Sequence, residues 1–428
     1  MATLPAVPKG RELEDFVAAL LQCTGFYVEK NIKEPGVLEL DVVATQYADV
    51  KPQHRVFEVK SGGWGFTEVF KLLGQMTYLQ VDAGALVATA PPPDKPLSLY
   101  ENRCDAVNIK LLIIDKPDEA GDRFAAAGFG RADDLLREIW RFSFWIERGL
   151  IDALRQAKAD SAAVAPREAL NYYDLINSGV FLSRNATERV GNLYQAYQDH
   201  PYLTLGAARE EGGAAFDAVT AGTGSTPIIR KALVEGTYPV LQACMYLEHR
   251  ARLAILKGAV DYLCRDREQP QPQDGIPLID LSLVGLPSSF RQALSTMKEQ
   301  PYFWLYPVFW QVFLWGWGGF LLDDHREQEL EDLSRQTGLP VEAIPTALKA
   351  FDLLFPTRGG SWITRMNNAA YDYVKLVPNP FRGIGAFYRL RKSGVEHYPQ
   401  LNLRGEYTGR DLNAWHNAGA ALLNGSAS

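Results

Sequence analysis

Up to residue 115 the chain alternates short β-branched runs with amphipathic helical segments. Beyond residue 131 strand-like runs become rare and long helical patterns dominate. This switch of hydrophobic period, from about 2 to about 3.6 residues, constrains the fold more than any other feature. In the segment Gly10–Gln22, Leu13, Phe16, Val17, Leu20 and Leu21 recur at helical spacing behind Glu12, Glu14 and Asp15, which suits a helix N-terminus. Strands are expected over 26–32, 37–47 and 55–60, with turn composition in ADVKPQH before the last of them. A helix over 67–81 follows, then apolar strands over 83–90 and 108–115, separated by a short segment containing Tyr100. The order helix, three strands, helix, strand, strand predicts an α/β domain with one central mixed sheet.

From Lys116 the composition turns to Pro, Gly, Ala and charge, so residues 118–131 are expected to link a first domain, 1–117, to a mostly α-helical region, 132–428. Helical patterns run over 133–158, 188–199 and 228–266. The Gly-, Ala- and Thr-rich stretch 206–226 suggests a loop, and QPQPQDG marks a second break near 269–277. At 428 residues the chain is long for a single core.

The chemistry-bearing signal lies in two neighbouring strands. Asp41 sits in LELDVVA, and Glu58 and Lys60 in FEVKSG, starting 17 positions later. Side chains alternate along a strand, so Glu58 and Lys60 share one face. If the two strands pair, Asp41 and Glu58 approach within a few ångströms. Two carboxylates so placed repel unless a cation lies between them, and oxygen ligands suit Mg²⁺ or Mn²⁺. Lys60 would stand beside the attacking water and a phosphate, positioning or deprotonating that water and offsetting charge on the phosphate. Glu39, two residues before Asp41 on the same face, is either a further ligand or a polar edge residue; His54 is expected in a loop.

These motifs resemble the PD-(D/E)xK phosphodiesterase superfamily, and within it the Mrr-like restriction endonuclease and Holliday-junction-resolvase-like branch. GRELEDFVAALLQCTGFYV resembles that family's first helix, LELDVVA carries its Asp, FEVKSG its E-x-K, and the next helix contains Gly74-Gln75-Met76-Thr77-Tyr78. Leu40 stands where a Pro is common. The resemblance covers about the first quarter of the chain. It implies a restriction-endonuclease-like αβββαβ core and a Mg²⁺- or Mn²⁺-dependent endonuclease. Asp41, Glu58 and, through water, Glu14 would serve the metal; Lys60 would orient the attacking water, and Gln75 would support Lys60 or a phosphate. It also implies products with a 5′-phosphate and a 3′-hydroxyl. DNA is the expected substrate, with RNA left open, and an attached sensor-like region would fit bacterial defence against foreign DNA. Cutting both strands takes two active sites or two visits, so a homo-oligomer, a dimer at least, is expected. The alternative is a non-cutting nuclease-fold scaffold in a protein-interaction or sensor module.

The formal net charge of −7 argues against coating nucleic acid through bulk charge, so any basic surface must be local. The stretch RGIGAFYRLRK, with Arg382, Arg389, Arg391 and Lys392, is the best basic and aromatic patch, near Arg404 and Arg410 in sequence. It reads equally as a nucleic-acid contact or a solvated face. Residues 327–355 resemble a helix-turn-helix, but the segment is acidic, which favours a structural helical hairpin. Cys23, Cys104, Cys244 and Cys264 are scattered, which reads as free thiols in a reducing cytosol. The N-terminus lacks a signal-peptide core. The uncharged stretch Pro301–Leu322 reaches spanning length but is interrupted by Pro307, Gln311 and a glycine cluster, so a buried aromatic segment is favoured over a membrane span.

Overall fold

A computed structural model describes residues 7–34, 37–49, 51–157, 170, 173–178, 190–195, 238–268, 286–356, 361–365, 371–374 and 381–393, with the backbone alone at 238, 239, 241, 244, 245, 265–268, 364, 365, 371–374 and 382. The loop expected at 206–226, the break near 269–277, and Arg404 and Arg410 lie outside these residues. The chain divides into two compact units, one of 3–144 with 177–184, the other of the remainder.

The first unit is built on a five-stranded mixed sheet of β1 (Tyr27–Glu34), β2 (Leu38–Ala48), β3 (Lys51–Lys60), β4 (Ala83–Ala88) and β5 (Ile109–Ile113), adjacent in that order. The first three pair antiparallel and the last three parallel. The antiparallel part is joined by tight turns. Asp49, at φ 54°, reverses the chain between paired Ala48 and Lys51. The parallel pairs need crossovers, supplied by α2 (Phe66–Leu79) and α3 (Leu97–Asp105).

One face of the sheet is covered by α2 and α3: Val56, Leu86 and Ile109 pack with Val69, Leu72, Met76, Tyr100 and Cys104. Helix α2 lies so close that a Cβ on Gly84 would come within 2.6 Å of the Met76 sulfur, so a larger residue there would make that side chain move. On the other side, α1 (Arg11–Gln22) contacts β1, β2 and β3 through its apolar stripe, Leu13, Phe16, Val17, Leu20 and Leu21, all buried.

Three expectations are corrected in this unit. Residues 118–131 are not a linker. They form α4 (Ala120–Ala126) and a following turn, and Phe124 and Phe129 are buried, with the Phe129 ring 5.3 Å from Phe57 and 6.3 Å from Phe26. The Ala/Gly-rich composition hid two buried aromatics. The unit therefore runs past residue 117 to Phe144. His54 lies not in a loop but in β3, opposite Thr45, whose hydroxyl it meets at 2.9 Å. ADVKPQH is mostly strand because the turn needs so few residues. Residues 51–54 run past the start of β4, where an edge tolerates Pro52. Helix α3 carries Tyr100 stacked on Phe66 at 4.2 Å and was not evident as a helix in the sequence.

Helix α5 (Asp134–Gln156) runs from the first unit into the second. Among the described residues the second unit is mostly helical. Its elements are α6 (Tyr238–Glu268), α7 (Ser288–Lys298), α8 (Tyr306–Gln311), α9 (Arg326–Thr337), α10 (Ile344–Ala347), α11 (Ala350–Leu354) and α12 (Arg382–Lys392), with a small antiparallel sheet of β6 (Phe320–Leu322), β7 (Ile363–Arg365) and β8 (Tyr371–Val374). The apolar stretch 301–322 is core. It breaks into a 3-10 turn, α8, a π-helical turn Val312–Gly316 and β6, and Trp310 stacks on Phe351 at 3.8 Å while donating its indole N–H to the Ala347 carbonyl. No helix among the described residues is long and apolar enough to cross a membrane. In 327–355, α9 ends at Gly338, at φ 73°, and only short helical turns follow.

Candidate active site

The site is assembled where β2 stops pairing regularly. Asn31 in β1 has φ 54°, and the β1–β2 ladder passes from Lys30↔Val42 to Ile32↔Leu40, leaving Asn31 and Asp41 opposite each other without a paired register. Asparagine tolerates this left-handed backbone better than most residues. The β2–β3 ladder likewise ends at Val42↔Phe57, one step before Asp41 would face Glu58. In place of a backbone partner, the Val59 N–H donates to Asp41 Oδ2 at 2.8 Å. The interruption thus fixes the Asp41 carboxylate against β3.

Glu58 is fully buried. Its Oε1 accepts from Lys60 Nζ at 2.6 Å and from Lys71 Nζ, on α2, at 2.7 Å. Its Oε2 is buried with no hydrogen-bond partner. A desolvated carboxylate oxygen left so is costly, by about 1–3 kcal/mol or more for a charged group.

The carboxylates are electrostatically crowded. Burial, and then the nearby Glu58 charge, raise Asp41 to about 6, against the pull of the Val59 N–H, Lys60 and Lys71. Glu14, in the first turn of α1, is raised to about 7 by burial and then by Asp41 and Asp15, with Lys30 and Arg11 opposing. Burial works against the charge of Lys60, but Glu58 and then Asp41 outweigh it and hold the ammonium above its ordinary value. The N-terminus of α1 is tied to the same corner, where the Gly10 N–H donates to Ser61 Oγ at 3.2 Å.

Asp41, Glu58 and Lys60 are thus brought together, and Glu14 is coupled to them through Asp41. Gln75 is not placed on Lys60. Its Nε2 donates to the Glu39 carbonyl at 2.9 Å, bracing β2 two residues before Asp41, and its Oε1 is buried without a partner. Glu39 itself is an edge residue, exposed and paired with Lys33 across the β1–β2 ladder at 2.6 Å. Lys71 was missed. The available signal was its i, i+4 spacing from Gln75, which sets both on one side of α2.

The basic patch of the second unit is also corrected. Arg389 is buried. Its Nε and Nη2 bind both oxygens of Glu329, and its remaining donors go to the carbonyls of Trp317, Phe320 and Gly385. Lys392 is paired with Asp332. Of the four residues, Arg391 alone is described with a half-buried side chain and no such bond, and the side chain of Arg382 lies outside the described residues. The pattern looked solvated because these partners are 60 residues away in sequence.

Among the described residues no group of three or more His, Cys, Asp or Glu side chains is arranged to hold a metal ion. Two carboxylates are nonetheless a fitting set for Mg²⁺, which keeps several of its waters. Glu58 Oε2, buried with no hydrogen-bond partner, is an oxygen that such an ion could use. Cys23, Cys104 and Cys264 are free thiols. No family model, curated protein or solved structure matches this chain.

Proposed function

We propose that the first unit is a restriction-endonuclease-like domain and that the protein is a Mg²⁺-dependent nuclease hydrolysing phosphodiester bonds, with DNA as the expected substrate. The observation that carries this reading is the buried Glu58 carboxylate. One oxygen is shared by two lysines and the other lacks a partner, on a strand whose neighbour presents Asp41 at the adjoining position. Asp41 and Glu58 would hold Mg²⁺ or Mn²⁺. When bound, the ion supplies Lewis acidity and a lowered pKa for water.

The remaining roles fall to this chain. The Val59 N–H would hold the Asp41 carboxylate against β3 through Oδ2. Lys60, held protonated, donates to a phosphate oxygen and offsets charge that grows as the nucleophile adds. Glu14, in the first turn of α1 and electrostatically coupled to Asp41, would act on the metal ion through water. Gln75 holds β2 in register and acts as a positioning residue.

The test is cleavage of plasmid DNA with Mg²⁺ by wild type, Asp41→Ala and Lys60→Ala. Cleavage by wild type, with loss of about 10²–10³-fold or more in each variant, is expected. A wild type inert on duplex DNA, single strands and RNA with Mg²⁺ and Mn²⁺ would overturn the proposal.

A further inference from the structure

Two ammonium groups share one oxygen of Glu58, and they are not equivalent. Lys60 lies on the same strand as Glu58, two residues away, with 29 % of its side chain exposed. Lys71 reaches in from α2 and is 44 % exposed, so its stem can swing outward without unpacking the helix. A divalent ion bound at Glu58 Oε2 would add a third positive charge beside the two ammonium groups on Oε1. Their mutual repulsion would be joined by that of the ion, and the more exposed, more distantly tethered lysine is the one to leave. An anion at the mouth of the site is the natural destination for that ammonium, because lysine binds phosphate as a point charge.

We infer that Lys71 is the displaceable cation of this site: it holds Glu58 when no divalent ion does, and contacts a substrate phosphate when one does. This inference rests on the nuclease reading above. Lys71 therefore acts in opposite directions on the two ligands. It competes with the metal ion and it recruits the polyanion. A lysine with a purely structural role would not separate these effects, and a second catalytic lysine would act on turnover itself.

The experiment measures Mn²⁺ binding calorimetrically to the full chain as wild type, Asp41→Asn, Lys71→Gln and Lys71→Arg, and separates KM from kcat on plasmid DNA. Lys71→Gln should bind Mn²⁺ several-fold to about tenfold more tightly. It should also show a KM raised several-fold, a kcat within about twofold, and a salt slope of log KM shallower by about one. Lys71→Arg, which keeps the charge, should bind Mn²⁺ no more tightly than wild type and keep the wild-type salt slope. Unchanged or weaker Mn²⁺ binding in Lys71→Gln, or a loss confined to kcat, would overturn the inference. Wild type binding Mn²⁺ no better than Asp41→Asn would instead overturn the nuclease reading on which it stands.

Discussion

The two units each bury a carboxylate against cations, and they do so to different ends. In the second unit, Glu329 is satisfied from within. Arg389 takes both oxygens, and the Leu322 N–H donates to Oε2 at 2.9 Å. The guanidinium also lies over the Phe320 ring at 3.9 Å, so the pair clamps α12 and α9 onto β6. In the first unit, Glu58 is equally buried but lopsided, with one oxygen doubly occupied by lysines and the other left bare. The account of hydrogen bonds is closed within the chain for Glu329 and open for Glu58. Charged residues of the same kind, at similar burial, thus differ in whether their hydrogen bonds are completed inside the chain.

The sharpest test of this contrast is to break each carboxylate's surroundings. Asp41→Ala and Lys60→Ala should abolish most cleavage while leaving the fold intact by circular dichroism. Arg389→Ala should do the reverse. It leaves Glu329 buried and unpaired, and is expected to destabilise the second unit by about 3–5 kcal/mol in denaturant unfolding. Gly385→Ala should act in the same place for a different reason, because a Cβ there would collide with the Trp317 carbonyl; a loss of about 1–3 kcal/mol is expected. If Arg389→Ala unfolds no earlier than wild type, the clamp has no structural weight and the comparison fails.

A smaller effect comes from pH. Asp41 and Glu14 are raised in the folded chain, to about 6 and about 7, from ordinary values of 3.8 and 4.5. The folded state therefore keeps protons that the unfolded state has already released. Stability of the metal-free first unit should fall as pH rises from about 4 to about 7, and level off above that. Hydrogen exchange at the amides of β2 and β3, corrected for the intrinsic rate, should show protection roughly tenfold or more higher at pH 5 than at pH 8. Mg²⁺ should recover that protection at pH 8. Protection that rises with pH in the absence of metal would contradict the crowding of carboxylates at this site. The smallest effect belongs to Glu39→Gln. It removes an exposed ion pair with Lys33, so stability should change by no more than about 0.5 kcal/mol and cleavage should hold. A strong loss of cleavage would make Glu39 a ligand after all.

Much of the first unit was legible because its signals are local. The helical spacing of Leu13, Phe16, Val17 and Leu20 set α1, and the β-branched runs around Val42 and Val56 set β2 and β3. Short connections then allowed only antiparallel pairing. Asp41, Glu58 and Lys60 stood out because alternation along a strand is a strict rule. The same rules failed at 118–131, where an Ala- and Gly-rich composition concealed Phe124 and Phe129. They failed again at ADVKPQH, where turn-like residues continue a strand.

The sequence by itself thus determined the order of the strands, the change to helical structure after the first unit, and the placing of Asp41, Glu58 and Lys60 on neighbouring strands. Only the tertiary structure decided what meets them. It placed Lys71 on Glu58, sent Gln75 to the Glu39 carbonyl, and set Asn31 in a left-handed turn of backbone opposite Asp41. It also took Arg389 out of any basic surface by pairing it with Glu329. Periodicity along a chain reports which face a residue occupies. It does not report which distant segment packs against that face, because that choice is made by the burial and pairing of groups tens of residues apart.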